Sequence, residues 1–193
     1  MGKETESIRI FDFKGNKEKE INNSKDTLLF IDSYYDKKLL NNYIITGNLE
    51  DCWKSFDYNK TEIYKEYKDY NYSRYGCCSL TLNNKEEIIK LIGACQDEII
   101  RIWDFHSGNL LNKIEINKIL RGICIWNKNY LFVGCDDNTI KIIDLKSNSI
   151  IKNLEGHKDL VITIKKIIHP LYGECLISQG VLNEGIKIWN IGN

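Results

Sequence analysis

Apolar and polar residues alternate along most of this chain with a period of two, the pattern of a strand whose two faces meet different surroundings. The alternation is sharpest in five short segments: Ile8-Arg-Ile-Phe-Asp12, Trp53-Lys-Ser-Phe-Asp57, Ile100-Arg-Ile-Trp-Asp104, Ile140-Lys-Ile-Ile-Asp144 and Ile186-Lys-Ile-Trp-Asn190. Their last residues stand 45, 47, 40 and 46 positions apart. Each segment runs into a similar turn, clearest in Asp104-Phe-His-Ser-Gly108 and Asp144-Leu-Lys-Ser-Asn148. An aspartate there accepts hydrogen bonds from amides just downstream, and glycine or asparagine tolerates the left-handed conformation. One hairpin is therefore built repeatedly.

Upstream, the match lengthens. Leu91–Asp104 aligns without gaps to Leu131–Asp144, and less closely to Ile44–Asp57. A strand, a tight acidic turn and a second strand recur as a block, and each unit has room for four strands. That spacing predicts an all-β fold of 16–18 strands in consecutive meanders.

With Gly156-His157, Trp189-Asn190 and Trp103-Asp104 at the corresponding places, the sequence resembles the WD-repeat family of β-propellers. The turn His169-Pro-Leu-Tyr-Gly173 resembles that family's turn between the first two strands of a blade. With strands a to d counted from the centre outward, the resemblance implies three complete four-stranded blades, roughly 27–69, 74–116 and 119–155. A partial blade stands at each end: strands c and d within 1–25, and strands a to c within 160–193. The expectation is a fragment of a larger propeller rather than a small closed ring, because both ends bring a c strand.

The resemblance also implies a structural tetrad in each blade: histidine before strand a, serine or threonine on b, aspartate in the b–c turn, tryptophan on c. In the last blade His157, Ser178 and Trp189 occupy three of these positions, and the turn Leu182-Asn183-Glu184 lacks the aspartate. The second blade keeps Asp97 and Trp103, with Gly93 in place of the serine. The third keeps Asp137, and the first has Thr46 with Glu50. Trp189, at a network position, is expected to matter more for stability than Trp53, which lies four residues before Asp57. Because His157 and Ser178 match a structural network, no catalytic residue is expected. No cation site is expected at Asp136-Asp137 either, for want of further oxygen ligands at loop spacing.

Composition narrows the function. Twenty-seven basic residues balance 27 acidic ones, so no field draws nucleic acid or acidic lipid. The seven cysteines, with no Cys-x-x-Cys pair, read as reduced small hydrophobes, with no metal or cofactor. The expected location is the cytoplasm or the nucleus. The expected function is a non-enzymatic scaffold for other proteins or peptides, with neither nucleic acid nor membrane as partner. The alternative is the regulatory or substrate-recognition propeller of a larger kinase or ubiquitin-ligase assembly. Tyrosine and arginine are favoured at interface hot spots. The expected partner surface is therefore the loop holding Tyr70, Tyr72 and Arg74, beside the turns Glu50-Asp51 and Gln96-Asp97-Glu98. The tyrosines just before that loop are expected to shield an outer strand.

Overall fold

The computed structural model describes residues 7–22, 28–48, 53–69, 77–83, 88–181 and 185–191. None of these is helical, and 17 strands account for most of them. The chain divides into two compact units, 1–77 and 78–193.

In the first unit β1 (Ser7–Phe11) and β2 (Lys17–Asn22) form a hairpin. They are followed by a four-stranded sheet of β3 (Leu28–Asp36), β4 (Asn41–Asn48), β5 (Trp53–Asp57) and β6 (Glu62–Tyr67). In the second unit, β7 (Cys77–Asn83), β8 (Lys90–Cys95), β9 (Ile99–Asp104) and β10 (Leu110–Glu115) make another four-stranded sheet. A third such sheet holds β11 (Leu120–Ile125), β12 (Tyr130–Cys135), β13 (Ile140–Asp144) and β14 (Ser149–Leu154). The last sheet has three strands, β15 (Val161–His169), β16 (Gly173–Gly180) and β17 (Ile186–Asn190). Every sheet is an up-and-down meander with neighbours in sequence order.

The aspartate that ends four of the five repeated segments builds its hairpin as its chemistry dictates. Asp12 Oδ1 accepts the amides of Lys14 and Asn16, each at 2.8 Å. Asp57 Oδ1 accepts those of Asn59 and Lys60, and Asp104 Oδ1 those of His106 and Ser107, at 2.9–3.0 Å. Asp144 Oδ1 takes the Lys146 amide at 2.8 Å. A short acceptor at this place satisfies amides that no strand partner reaches.

The two faces of β13 pack in opposite directions, Ile143 toward the preceding sheet and Ile140 and Ile142 toward the following one. Ile100 and Ile102 of β9 share a core cluster with Ile123, Leu131, Val133 and Ile143 of the following sheet. Ile140 and Ile142 of β13 in turn join Ile164 and Leu176, with Trp189 packed against them. In the first unit Ile8 and Ile10 of β1 meet Phe56 of β5. The rule is the same three times: residues one and three of a segment lie against residue four of the next.

Two glycines let these sheets approach. A Cβ on Gly134 of β12 would lie 2.5 Å from the Val161 carbonyl oxygen, and one on Gly122 of β11 would lie 2.9 Å from that of Ile162. Both obstacles are backbone, which cannot swing aside. Gly134→Ala should therefore force β12 and β15 apart and destabilise the second unit by about 1–3 kcal/mol. A urea titration showing an unchanged midpoint would contradict that close approach.

Candidate functional site

A buried polar constellation lies on the last sheet, where Trp189 packs against residues of β12 and β13. Gly156, with φ of +149°, occupies a conformation that side-chain-bearing residues rarely adopt, and a Cβ there would stand 3.1 Å from the Trp189 ring. Glycine thus lets the chain lie against the indole and delivers His157 into the sheet. His157 Nε2 is 2.6 Å from Ser178 Oγ, and Trp189 Nε1 donates to that same oxygen at 2.7 Å. The imidazole and indole rings are 5.8 Å apart, and His157 and Ser178 are buried. Strand pairing places Ser178 opposite Ile164 and Lys187, and Trp189 opposite Leu176. The hydroxyl ties the loop before β15 to two strands at once. Ser178→Ala should remove the hydroxyl that both rings share and lower stability by about 1–3 kcal/mol. A thermal midpoint equal to that of the unmodified protein would remove the brace.

Asp97 and Asp137 occupy equivalent turns, after β8 and after β12. Each carboxylate turns back onto the cation four residues on. Asp97 receives Arg101 Nη1 at 3.0 Å and Nη2 at 2.5 Å, with both side chains nearly inaccessible. Asp137 Oδ2 receives Lys141 Nζ at 2.9 Å, and its Oδ1 takes the Thr139 hydroxyl at 2.6 Å. Burial acts to raise the Asp137 carboxyl, but Thr139 and the Lys141 charge outweigh it and hold the group below the usual carboxylate range. Trp103, fourth residue of its segment, is fully buried between Leu91 and Leu110 on the flanking strands.

Arg101 and Lys141 escape a reading in terms of strand faces alone, which treats the second residue of each segment as polar filler. The available signal is the constant spacing of four from an acid: Asp97 to Arg101, Asp137 to Lys141, and Glu50 to Lys54.

Of the residues expected to meet a partner, Tyr70, Tyr72, Arg74, Glu50 and Asp51 lie outside the described residues. In the remaining turn Gln96 is exposed, whereas the Asp97 carboxylate is engaged by Arg101. Glu98 holds φ of +67°, where the equivalent turn has the better-suited Asn138 at +68°. Its carbonyl accepts the Ile116 amide at 2.9 Å. Tyr67, on the outer strand β6, is buried, and its hydroxyl lies 3.0 Å from Ser55 Oγ on β5.

Cys95, Cys124, Cys135 and Cys175 are free thiols, and burial pushes Cys135 up to about 12. No cluster of three His, Cys, Asp or Glu suited to a metal ion occurs among the described residues.

No family model matches the chain. Among curated proteins it is 32% identical over 42% of its length to a U3 small nucleolar RNA-associated protein 21 homolog of Schizosaccharomyces pombe, covering 9% of that protein. It is 30% identical over 35% of its length to myosin heavy chain kinase C of Dictyostelium discoideum, covering 8% of it. It is 26% identical over half its length to the small ribosomal subunit protein RACK1z of Arabidopsis thaliana, covering 34% of it. The chain thus spans about a third of these relatives' length or less. Among solved structures, the RRP9 WD40 repeats superpose with a TM-score of 0.65 at 14% identity, over 77% of this chain and 44% of that one. That likeness speaks for the fold. Repeat, sheet topology and likeness agree: the chain has the all-β, four-stranded meander fold of WD-repeat β-propellers and is similar to members of that family.

Proposed function

We propose that this chain is a non-enzymatic platform on which other proteins or peptides assemble, inside the cell in the cytoplasm or nucleus. One observation carries the reading: the residues that stand at the family's tetrad positions are engaged in bracing among the described residues. His157 and Ser178 are buried with Trp189, Asp97 is held by Arg101, and Asp137 by Lys141. Such braced sheets hold loops of variable sequence at their rims, and loops on a rigid scaffold are where binding concentrates. The named relatives support it, since two are named for the ribosomal subunit or the small nucleolar RNA with which they associate. The partner surface we assign is Tyr70, Tyr72 and Arg74 with the Glu50-Asp51 and Gln96-Asp97-Glu98 turns. Bound proteins are compared by quantitative affinity capture between the unmodified chain and Tyr70→Ala/Tyr72→Ala/Arg74→Ala. The variant, its fold checked by circular dichroism, should lose at least one partner by about tenfold or more. Unchanged recovery of every partner would reject this surface.

The similarity to myosin heavy chain kinase C favours a second reading, in which these repeats choose substrates for a larger enzyme. Capture of the same partners by a full-length protein that modifies them would favour it over a bare scaffold.

A further inference from the structure

At one end of the sheet β3–β6, the β3–β4 and β5–β6 turns stand side by side and are fastened to each other. Asn41 Nδ2 donates to Asp57 Oδ2 at 2.8 Å, and Asn59 Nδ2 donates to Asn41 Oδ1 at 2.7 Å. Asp36, only 2% exposed, turns Oδ1 onto the amides of Lys38 and Leu39 at 2.7 and 3.1 Å. Both buried carboxylates, Asp36 and Asp57, are thus occupied in holding the turns. What the turns present outward is different in kind. Lys37, Lys38 and Lys60 are exposed, and Leu39 and Leu40 are 58% and 72% exposed. Lys37 and Lys38 have no ion-pair partner among the described residues, and Lys60 reaches Glu62 at 4.0 Å.

This exposure does not depend on which sheets stand alongside. The sheet β11–β14 packs against a sheet on either side, and its corresponding turns still expose Lys128, Asn129, Lys146 and Ser147. Those exposed side chains are polar, whereas two of the exposed ones here are adjacent leucines. Backbone strain marks the same place. Leu40 has φ of +50° and Thr61 of +58°, a region that bulky and β-branched residues rarely adopt. At the place of Thr61 the later hairpins have Gly108 and Asn148, which adopt it readily. Residues held in such conformations cluster at ligand-binding sites.

We infer that this end of the sheet binds an acidic peptide segment of a partner protein, one that also carries an apolar side chain. Its carboxylates meet Lys37, Lys38 and Lys60, and its apolar side chain covers Leu39 and Leu40. Charge sets the sign of the partner, because the turns 37–40 and 58–61 contain three lysines and no acidic residue. The leucines choose among anionic partners, since the phosphates of a nucleic acid offer nothing to cover them. Three lysines also fall short of the roughly four to eight that hold a chain on an anionic bilayer. The inference rests on the reading of this chain as a platform for proteins, and it adds a surface. Strand order sets these two turns at the end of the sheet opposite the β4–β5 connection, which contains Glu50 and Asp51.

The probe is a fluorescein-labelled peptide, Glu-Asp-Glu-Leu-Leu-Asp-Glu-Asp, titrated with the full chain and followed by fluorescence anisotropy. The unmodified chain should bind it saturably. Lys37→Glu/Lys38→Glu and Leu39→Ser/Leu40→Asn should each weaken binding about tenfold or more. All four substitutions replace exposed side chains, asparagine suits the positive φ at position 40, and circular dichroism checks that the fold is kept. A peptide with serines in place of its leucines should also bind about tenfold more weakly to the unmodified chain. No saturable binding, equal affinity for the serine peptide, or unchanged affinity of either variant would overturn the inference. Tighter binding to vesicles of phosphatidylcholine and phosphatidylserine, or to single-stranded DNA, than to the peptide would overturn it too. Capture by the Tyr70→Ala/Tyr72→Ala/Arg74→Ala variant is read separately, so either surface can fail while the other stands.

Discussion

Trp103→Ala should cost about 3–5 kcal/mol, a large share of what holds a domain of this size together. Trp103 is among the largest side chains buried with no exposed surface, and it stands between Leu91 and Leu110 in the middle of its sheet. Close-packed strands on either side cannot collapse into the space that its ring would vacate. The useful comparison is Trp189→Ala. Trp189 is only partly buried, so its truncation forfeits less packing, while breaking the bond to Ser178. Urea unfolding of the two variants should place the Trp103→Ala midpoint lower. Equal midpoints would mean that the hydrogen bond, and not burial, decides the worth of an aromatic at this position. Burial also corrects an ordering drawn from the tetrad alone: Trp53 is 4% exposed, deeper than Trp189, and its loss should not be the milder of the two.

The sheets were legible in the sequence because strand periodicity is local. Ile100, Ile102 and Asp104 carry enough information in five residues to define a strand, its buried face and its turn, and repetition multiplied the signal. The contact of His157 with Ser178 was legible for a different reason, namely that the Gly-His pair and the fourth-position tryptophan stand where the family has them. What escaped was long-range or conditional. The burial of Trp53 and Tyr67 depends on how β5 and β6 meet their surroundings, which alternation does not encode. The role of Arg101 was hidden because a cation on a strand reads as a solvated side chain until a partner closes over it.

That cation supports the second large effect. Arg101→Met should destabilise the second unit by about 3–5 kcal/mol, because it leaves the Asp97 carboxylate buried without its counter-charge. The guanidinium approaches with two nitrogens, at 3.0 and 2.5 Å, and neither partner has appreciable access to water. Desolvation makes such a pair poor in net energy yet costly to break on one side. The double variant Asp97→Asn/Arg101→Met should therefore recover most of the loss, since an asparagine still serves the turn and carries no charge to strand. Contrast comes from Arg9 and Glu20, an exposed pair at 3.3 Å, where Arg9→Met should leave stability nearly unchanged at any salt concentration because solvent screens the pair. Unfolding titrations of both single variants and the double variant, at low and high salt, separate the cases. If Arg101→Met and the double variant prove equally unstable, the loss comes from packing of the arginine stem, and the charge pairing of Asp97 with Arg101 contributes nothing to the fold.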